Sequence, residues 1–290
     1  MDRPGEAGIQ HRYIEVGDVT LHCAMAGSGP LVVLLHGFPE FWYCWRNQLP
    51  ALAEAGFRAV APDLRGYNLS SKPEGLRAYA LGPVAKDIAR LIPALGHTRA
   101  AVVGHDWGGA VAWALAMGHP ERVSRLAALA APHPLAFLKM LRSPFQWLRS
   151  SYFLMFQLPW LPESLLATND FALLRQGLLR AGRGALQPEE LERYVTAWTE
   201  PGALHCGLQY YRAALRVPPD ALKTIEAPVR VMFGQEDPFL ARDAATPPKR
   251  WVTQAEVEIL PGAGHFLPWE AHERVTPRLL EFLRPALNGA

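Results

Sequence analysis

Apolar and polar positions alternate only at the start of the chain, and nearly continuous apolar runs follow. Residues 13–16 and 19–22 alternate on either side of Gly17-Asp18, which predicts an antiparallel hairpin. Later strands are predicted from short runs that are mostly apolar, as in strands covered on both faces of a sheet. These runs are residues 31–35, 59–61, 101–103, 229–233 and 257–260.

Apolar residues with helical spacing occupy the gaps between these runs. They predict helices at residues 45–55, 84–95, 110–117 and 269–283. Strands that alternate with helices predict an α/β fold in which a mostly parallel sheet is flanked by helices. The alternation stops after residue 134, and the next 83 positions, 135–217, are rich in aromatic side chains and show no clear strand. We therefore predict a core domain of residues 1–134 and 218–290 and a helical lid of residues 135–217.

Composition and charge exclude several classes of protein. Of the 290 residues, 50% are hydrophobic and 19% are charged, which is ordinary for a globular protein in water. The net charge of +2 and the lack of a basic run give no reason to expect a nucleic-acid partner. Cys23, Cys44 and Cys206 are too few and too scattered for a disulfide framework, and none pairs with a histidine at metal-ligand spacing. We expect neither a metal nor a cofactor.

Targeting signals are not predicted from this sequence. The first eight residues carry no apolar segment after their positive charge, unlike a secretory signal. The most apolar zone, residues 151–166, is interrupted by prolines and polar residues and is too short to cross a bilayer. We predict a cytoplasmic protein without a membrane span, and the sequence leaves a homodimer open.

The first candidate for chemistry is Gly104-His105-Asp106-Trp107-Gly108-Gly109, which joins a predicted strand to a predicted helix. A sharp turn of this kind, flanked by glycines, carries the nucleophile of an α/β-hydrolase at its tip. The tip residue here is Asp106. A carboxylate needs no base to attack and opens saturated carbon by displacement, so epoxides or alkyl halides are expected as substrates. The alternative is an ordinary tight turn in which Asp106 caps the helix.

Three further candidates follow predicted strands. Asp237 comes after the strand that ends at residue 233, and His265 comes after the last strand. The order nucleophile, acid, histidine is that of an α/β-hydrolase triad. Phe38 follows the strand 31–35, and its amide is predicted to form an oxyanion hole with that of Trp107. Taken singly, Asp237 could begin a simple turn before proline, and His265 could be an ordinary loop histidine.

These motifs together resemble the α/β-hydrolase-fold epoxide hydrolases, over nearly the whole chain and including the lid. The resemblance is carried by His36-Gly37-Phe38-Pro39-Glu40, Asp63-Leu64-Arg65-Gly66-Tyr67, the turn around Asp106, Pro132-His133-Pro134, residues 156–163 and Tyr210-Tyr211-Arg212. In that family two lid tyrosines hold the epoxide oxygen, and the resemblance implies these roles for Tyr152 and Tyr211. A tyrosine in a helical lid is more often part of the core. Tyr210 adjoins Tyr211 and points elsewhere on a helix.

The resemblance implies an epoxide hydrolase of the α/β-hydrolase fold. It would convert a small lipophilic epoxide and water to a vicinal diol through an ester on Asp106, with Asp237 and His265 as acid and base. A haloalkane dehalogenase is the nearest alternative, because it shares an aspartate nucleophile and Trp107 could donate its indole N–H to a halide. The other alternative is a ligand-binding protein that keeps the hydrolase fold without turnover.

Overall fold

The computed structural model describes residues 8–140, 146, 149, 151–218 and 221–286. In this part of the chain, eight strands form one sheet in the order β1-β2-β4-β3-β5-β6-β7-β8. The strands are β1 Gln10–Glu15, β2 Thr20–Ala26, β3 Leu31–Leu35, β4 Arg58–Pro62, β5 Ala100–His105, β6 Val123–Leu129, β7 Val229–Gly234 and β8 Ala255–Leu260. Strand β2 is antiparallel to β1 and β4, and the other neighbours are parallel. The predicted hairpin and mostly parallel sheet are confirmed.

The central strands are buried on both faces, as their apolar sequences require. In β3, Val33 and Leu35 belong to one hydrophobic cluster, whereas Val32 and Leu34 belong to another on the opposite face. Helices α2 Leu81–Ala94 and α3 Trp107–Gly118 cover the first face. Helices α1 Gln48–Glu54 and α10 His272–Leu283, with the short α9 Leu267–Glu270 before α10, cover the second. This three-layer arrangement is the α/β-hydrolase fold.

Some boundaries differ from those predicted. Strand β6 was not predicted, because Ser124 and Arg125 interrupt its apolar run. The predicted helix 45–55 is shorter and follows a 3₁₀ turn, Trp42–Trp45. The predicted helix 269–283 is two helices separated at Ala271, whose backbone is not helical.

Between β6 and β7, the described residues form helices and turns, with an isolated β-bridge at Ile225. The helices are α4 Pro134–Met140, α5 Ser151–Met155, α6 Leu161–Ala181, α7 Pro188–Thr199 and α8 Ala203–Arg216. We call this segment the helical insertion. Helix α6 is broken at residues 168–171, where the backbone leaves the helical region. No helix in the described ranges is long and apolar enough to cross a membrane. The division at residues 134/135 and 217/218 remains a prediction.

The turn from β5 to α3 brings Asp106 to the carboxyl end of the sheet. Asp106 has φ +51 and ψ −120, outside the regions that most residues adopt. The close approach of strand and helix leaves no room for side chains at two neighbouring glycines. A Cβ on Gly104 would overlap the carbonyl oxygen of Gly108, and a Cβ on Gly108 would overlap that of Leu35. Glycine is therefore required at both positions for the turn to form.

Gly104→Ala tests this requirement. The added methyl group would have to displace backbone, so we expect the free energy of unfolding to fall by about 2 kcal/mol or more. Gly118→Ala, at the other end of α3, is the matched control, because a Cβ there meets no atom within 4 Å. Urea denaturation of both variants measures the difference, and equal stabilities would contradict the packing argument.

Candidate active site

Asp106 occupies the tip of the turn between β5 and α3, with its side chain 21% exposed. Its Oδ1 accepts a hydrogen bond of 2.9 Å from the backbone amide of Phe38. Its Oδ2 lies 3.6 Å from Nε2 of His265. One carboxylate oxygen is therefore held by the loop after β3, while the other faces the imidazole.

His265 lies between two carboxylates, and Asp237 fixes its orientation. Nδ1 of His265 is 2.8 Å from Oδ2 of Asp237. Oδ1 of Asp237 accepts hydrogen bonds from the backbone amides of Phe239 at 2.8 Å and Leu240 at 2.9 Å. Because both oxygens of Asp237 are used, its carboxylate cannot turn freely, and the imidazole directs Nε2 toward Asp106. The structure thus brings together the three residues predicted as a triad.

The charges of these three residues control their protonation. Burial alone would raise the pKa of Asp106, but the hydrogen bond and charge of His265, with the amide of Phe38, hold it below the ordinary value. Burial would lower the pKa of His265, but the charge of Asp237 and the hydrogen bonds to both carboxylates raise it well above 6.5. At neutral pH the free protein therefore carries an ionised Asp106 beside a protonated His265.

Two backbone amides were predicted to act as donors beside Asp106. The Phe38 amide is bonded to Oδ1 of Asp106. The Trp107 amide is the first of α3, and first-turn amides of a helix have no carbonyl partner within the helix. The role of the Trp107 amide as the second donor remains a prediction.

His36 has a structural role in the loop that carries Phe38. Its Nδ1 donates to the carbonyl of Gly37 at 2.9 Å, and its Nε2 accepts the amide of Leu64 at 3.0 Å. Burial lowers the pKa of His36 below its ordinary value, which keeps the imidazole neutral for this pair of contacts. His36 thus ties the loop after β3 to the loop after β4.

Tyr152 of α5 and Tyr211 of α8 lie near Asp106. Their ring centroids are 6.0 Å apart, and the Tyr211 ring is 5.0 Å from that of Trp107. Burial, and then the negative charge of Asp106, raise the pKa of each phenol above its ordinary value. Both hydroxyl groups therefore stay protonated at neutral pH and can act as donors.

Tyr210 faces away from this site. Its hydroxyl donates to the backbone carbonyl of Arg65 at 2.8 Å, and its ring packs 5.3 Å from that of Tyr67. Neighbouring positions on a helix point about 100° apart, so only one of two adjacent tyrosines can face Asp106. On α8 that residue is Tyr211.

Aromatic rings surround the two tyrosines. Phe153 and Phe156 each lie 4.9 Å from the Tyr211 ring, Phe38 lies 5.4 Å from it, and Phe239 lies 5.9 Å from the Tyr152 ring. These rings give the two phenols an apolar surrounding. In the described ranges, no three His, Cys, Asp or Glu side chains are grouped as metal ligands.

A buried network behind the triad was not predicted. His105 bonds to Oε2 of Glu40 at 2.7 Å and to the carbonyl of His265 at 2.9 Å, and the Trp269 indole donates to Oε1 of Glu40 at 2.7 Å. Burial would raise the pKa of Glu40, but His105 and Trp269 hold it below the ordinary value. The network fixes the backbone that carries His265. Glu40 and His105 both lie inside the sequence motifs. Because both are polar residues beside strands that were predicted to be buried, the sequence could have indicated that they bond to each other.

Comparison with known proteins now decides the family. The model of the alpha/beta hydrolase fold matches residues 30–272. Epoxide hydrolase 4 of Homo sapiens is 36% identical over 287 residues, which cover 94% of this chain and 79% of that protein. The chain belongs to the epoxide hydrolases of the α/β-hydrolase fold. It is therefore a hydrolase.

Two further relatives show how far the similarity extends. The AB hydrolase superfamily protein YfhM of Bacillus subtilis (strain 168) is 42% identical over 282 residues, which cover 96% of this chain and 99% of that protein. The crystal structure of a Bacillus megaterium epoxide hydrolase in complex with an inhibitor superposes with a TM-score of 0.88 at 32% identity. That match covers 94% of this chain and 100% of the other. The similarity to this hydrolase thus includes the helical insertion.

Replacing Asp106 by Asn removes one of the two carboxylates beside His265. We expect the pKa of His265 to fall, because its raised value depends on nearby negative charge. NMR titration of the imidazole in the wild type and in D106N measures the change. Glu236→Gln is the control, since Glu236 is exposed and pairs with Arg183. An unchanged or higher pKa in D106N would contradict the assigned electrostatics.

The same raised pKa links stability to pH. Below the unfolded value of 6.5, the pairing of His265 contributes its full stabilisation, and this is lost as the pH rises through the higher folded value. In D106N the folded value is lower, so we expect the loss to be smaller and to be complete at lower pH. Thermal denaturation between pH 5 and 10 measures both profiles.

Proposed function

We propose that this hydrolase converts lipophilic epoxides to vicinal diols through a covalent ester on Asp106. The observation that carries the proposal is the placement of an ionised carboxylate at the turn, bonded to the Phe38 amide on one oxygen and covered by Tyr152 and Tyr211. This arrangement supplies a nucleophile and proton donors on opposite sides of a bound three-membered ring. Asp106, Asp237, His265, Tyr152 and Tyr211 are the proposed catalytic residues.

In the first step, Oδ2 of Asp106 attacks one carbon of the epoxide. The new carbon–oxygen bond forms as the ring bond from that carbon to oxygen breaks, and the electron pair goes to the ring oxygen. Tyr152 or Tyr211 gives that oxygen a proton, which is favourable because an alkoxide is more basic than a phenolate. The product is a hydroxyalkyl ester of Asp106. Such acid assistance is typically worth about 10² to 10⁴ in rate.

In the second step, water attacks the ester carbonyl of Asp106. His265 accepts a proton from the water, and Asp237 stabilises the imidazolium that results. The negative charge passes to Oδ1, where the amides of Phe38 and Trp107 are the proposed donors. In an unrelated hydrolase, removing a single donor of this kind costs about 2.7 to 4 kcal/mol. Collapse of the tetrahedral intermediate breaks the ester bond. The departing alkoxide oxygen takes the proton that the attacking water left on the new carboxyl group, so the diol leaves and Asp106 is ionised again.

Formation of the ester prepares the groups that act next. Esterification removes the negative charge of Asp106, which is one of the charges that raise the pKa of His265. The pKa of His265 therefore falls, and the imidazole becomes available as a base for the second step. The same loss of charge removes a repulsion that opposes ionisation of Tyr152 and Tyr211. The proton that His265 gives up restores the phenol that was ionised in the first step, so both groups are ready for hydrolysis of the ester.

The substrate class follows from the lining of the site. The rings that surround Tyr152 and Tyr211 offer an apolar surface, so we propose a lipophilic epoxide whose substituent lies among them. The helical insertion serves as a lid that keeps water away from this surface. An alkyl halide would release a weakly basic ion that has no need of two phenols. Release of halide from 1-bromobutane, without diol from styrene oxide, would favour a dehalogenase and contradict this proposal.

His265→Gln separates the two proposed steps. Only ester hydrolysis needs the base, so the variant should form the ester and accumulate it. Intact-mass spectrometry after incubation with styrene oxide should show a single adduct with the mass of the epoxide, and peptide mapping should place it on Asp106. The wild type under the same conditions provides the control. No adduct in H265Q would contradict the assigned roles.

Replacing both lid tyrosines tests the acid. We expect Tyr152→Phe with Tyr211→Phe to lower the rate of epoxide opening by about 10² to 10⁴. Tyr210→Phe is a matched control, because it removes a neighbouring hydroxyl that bonds to the core rather than facing the nucleophile. That control should retain diol formation with a lower melting temperature. Turnover of the double variant within tenfold of the wild type would remove the reason for preferring epoxides.

A further inference from the structure

Helix α7 of the helical insertion lies along the loop that follows β3. Its Glu190, Tyr194 and Trp198 are four residues apart and therefore share one face of the helix. Each contacts the loop, and residues later in the helix contact residues earlier in the loop. They are Glu190 with Arg46 at 2.6 Å, Tyr194 with Phe41 at 5.3 Å between ring centroids, and Trp198 with Pro39 at 2.6 Å. Trp198 makes the contact nearest to the nucleophile.

The contact of Trp198 falls on the turn that presents the Phe38 amide. Residues 37–40 form a turn closed by a bond of 3.0 Å from the amide of Glu40 to the carbonyl of Gly37. From inside, the Phe38 amide bonds to Asp106. From outside, the buried indole of Trp198 donates to the carbonyl of Pro39. The turn is therefore held by the core and, through Trp198, by the helical insertion as well.

The side chain of Phe38 is held by the insertion as well. A Cβ on Gly207 of α8 would lie 3.1 Å from the Phe38 ring, so the helix backbone approaches the ring closely. The Tyr211 ring packs 5.4 Å from the same side chain. A cavity of about 10 Å³ beside Phe38, Pro39 and Trp198 leaves room for one water molecule. Both the backbone and the ring of Phe38 thus depend on contacts with the insertion.

We propose that Trp198 is a positioning residue that holds the Phe38 amide on Asp106 from the insertion. This inference rests on the proposed function, in which that amide stabilises the oxyanion of the second step. During ester formation, the carboxylate oxygen that the amide faces becomes an ester carbonyl oxygen. The hydrogen bond from the amide therefore does not strengthen in this step. During ester hydrolysis, negative charge concentrates on that oxygen and the bond strengthens. A displaced amide therefore slows hydrolysis of the ester more than its formation.

Trp198→Phe removes the donor and keeps an aromatic ring. We expect the single-turnover rate of ester hydrolysis to fall about fivefold, because one hydrogen bond is lost and a water molecule can replace part of it. The rate of ester formation should stay within about twofold of the wild type. Quenched-flow mass spectrometry with styrene oxide measures both rates. Glu190→Gln is the matched control, because it weakens the far end of the same face and should change neither rate.

A second variant separates the donor from the packing. Trp198→His also shortens the side chain but keeps a ring N–H, so its ester hydrolysis should lie closer to the wild type than that of W198F. Equal behaviour of the two variants would overturn the proposal. A fall in both rates by the same factor would also overturn it, since it would indicate only a general loss of structure.

Hydrogen exchange of the Phe38 amide tests, without catalysis, whether Trp198 stabilises the turn of residues 37–40. In the absence of substrate, the Phe38 amide should exchange at least about fivefold faster in W198F than in the wild type or in E190Q. Unchanged exchange would overturn the proposal even if the chemistry is as proposed. If the wild type forms neither ester nor diol, the proposed function fails, and the exchange rates alone still decide whether Trp198 positions the amide.

Discussion

A carboxylate that stays ionised among aromatic rings is the constraint on which the rest of this structure depends. Burying the charge of Asp106 is unfavourable unless hydrogen bonds and an opposite charge replace the lost water. The Phe38 amide and His265 supply both, and they act on different oxygens. This leaves the carboxylate ionised but not fully enclosed. The close packing of the turn between β5 and α3 serves the same requirement, because the carboxylate of Asp106 must contact the Phe38 amide and His265 at the same time.

The proximity of Asp106, Asp237 and His265 could be predicted because each of them follows a strand. Parallel strands place their carboxyl ends at one edge of the sheet, so residues after β5, β7 and β8 must lie near one another. Local patterns identified these strands, and the glycines around Asp106 identified the sharp turn. The sheet and its helices follow from the same patterns, except β6, whose Ser124 and Arg125 are polar despite their place in the sheet.

Contacts between distant segments could not be predicted in this way. The bond from Trp269 to Glu40 joins residues 229 positions apart, and that from Trp198 to Pro39 joins residues 159 apart. No local periodicity encodes such pairs, because they depend on how the helices pack. The choice between Tyr210 and Tyr211 has the same origin. Both are aromatic and both are buried, so only the rotation of α8 against the core decides which one faces Asp106.

The core and the helical insertion contribute different parts of the proposed reaction. The core carries the nucleophile and the base, whereas the insertion carries the two phenols and supports the Phe38 turn through Trp198. In the first step negative charge moves from Asp106 toward the insertion, and in the second it returns to the oxygen that the core amides face. Each transfer is favourable only in a site that excludes bulk water, since water would weaken these interactions. The insertion must therefore stay closed through both steps, and a contact such as Trp198 with Pro39 links that closure to the geometry of the oxyanion site.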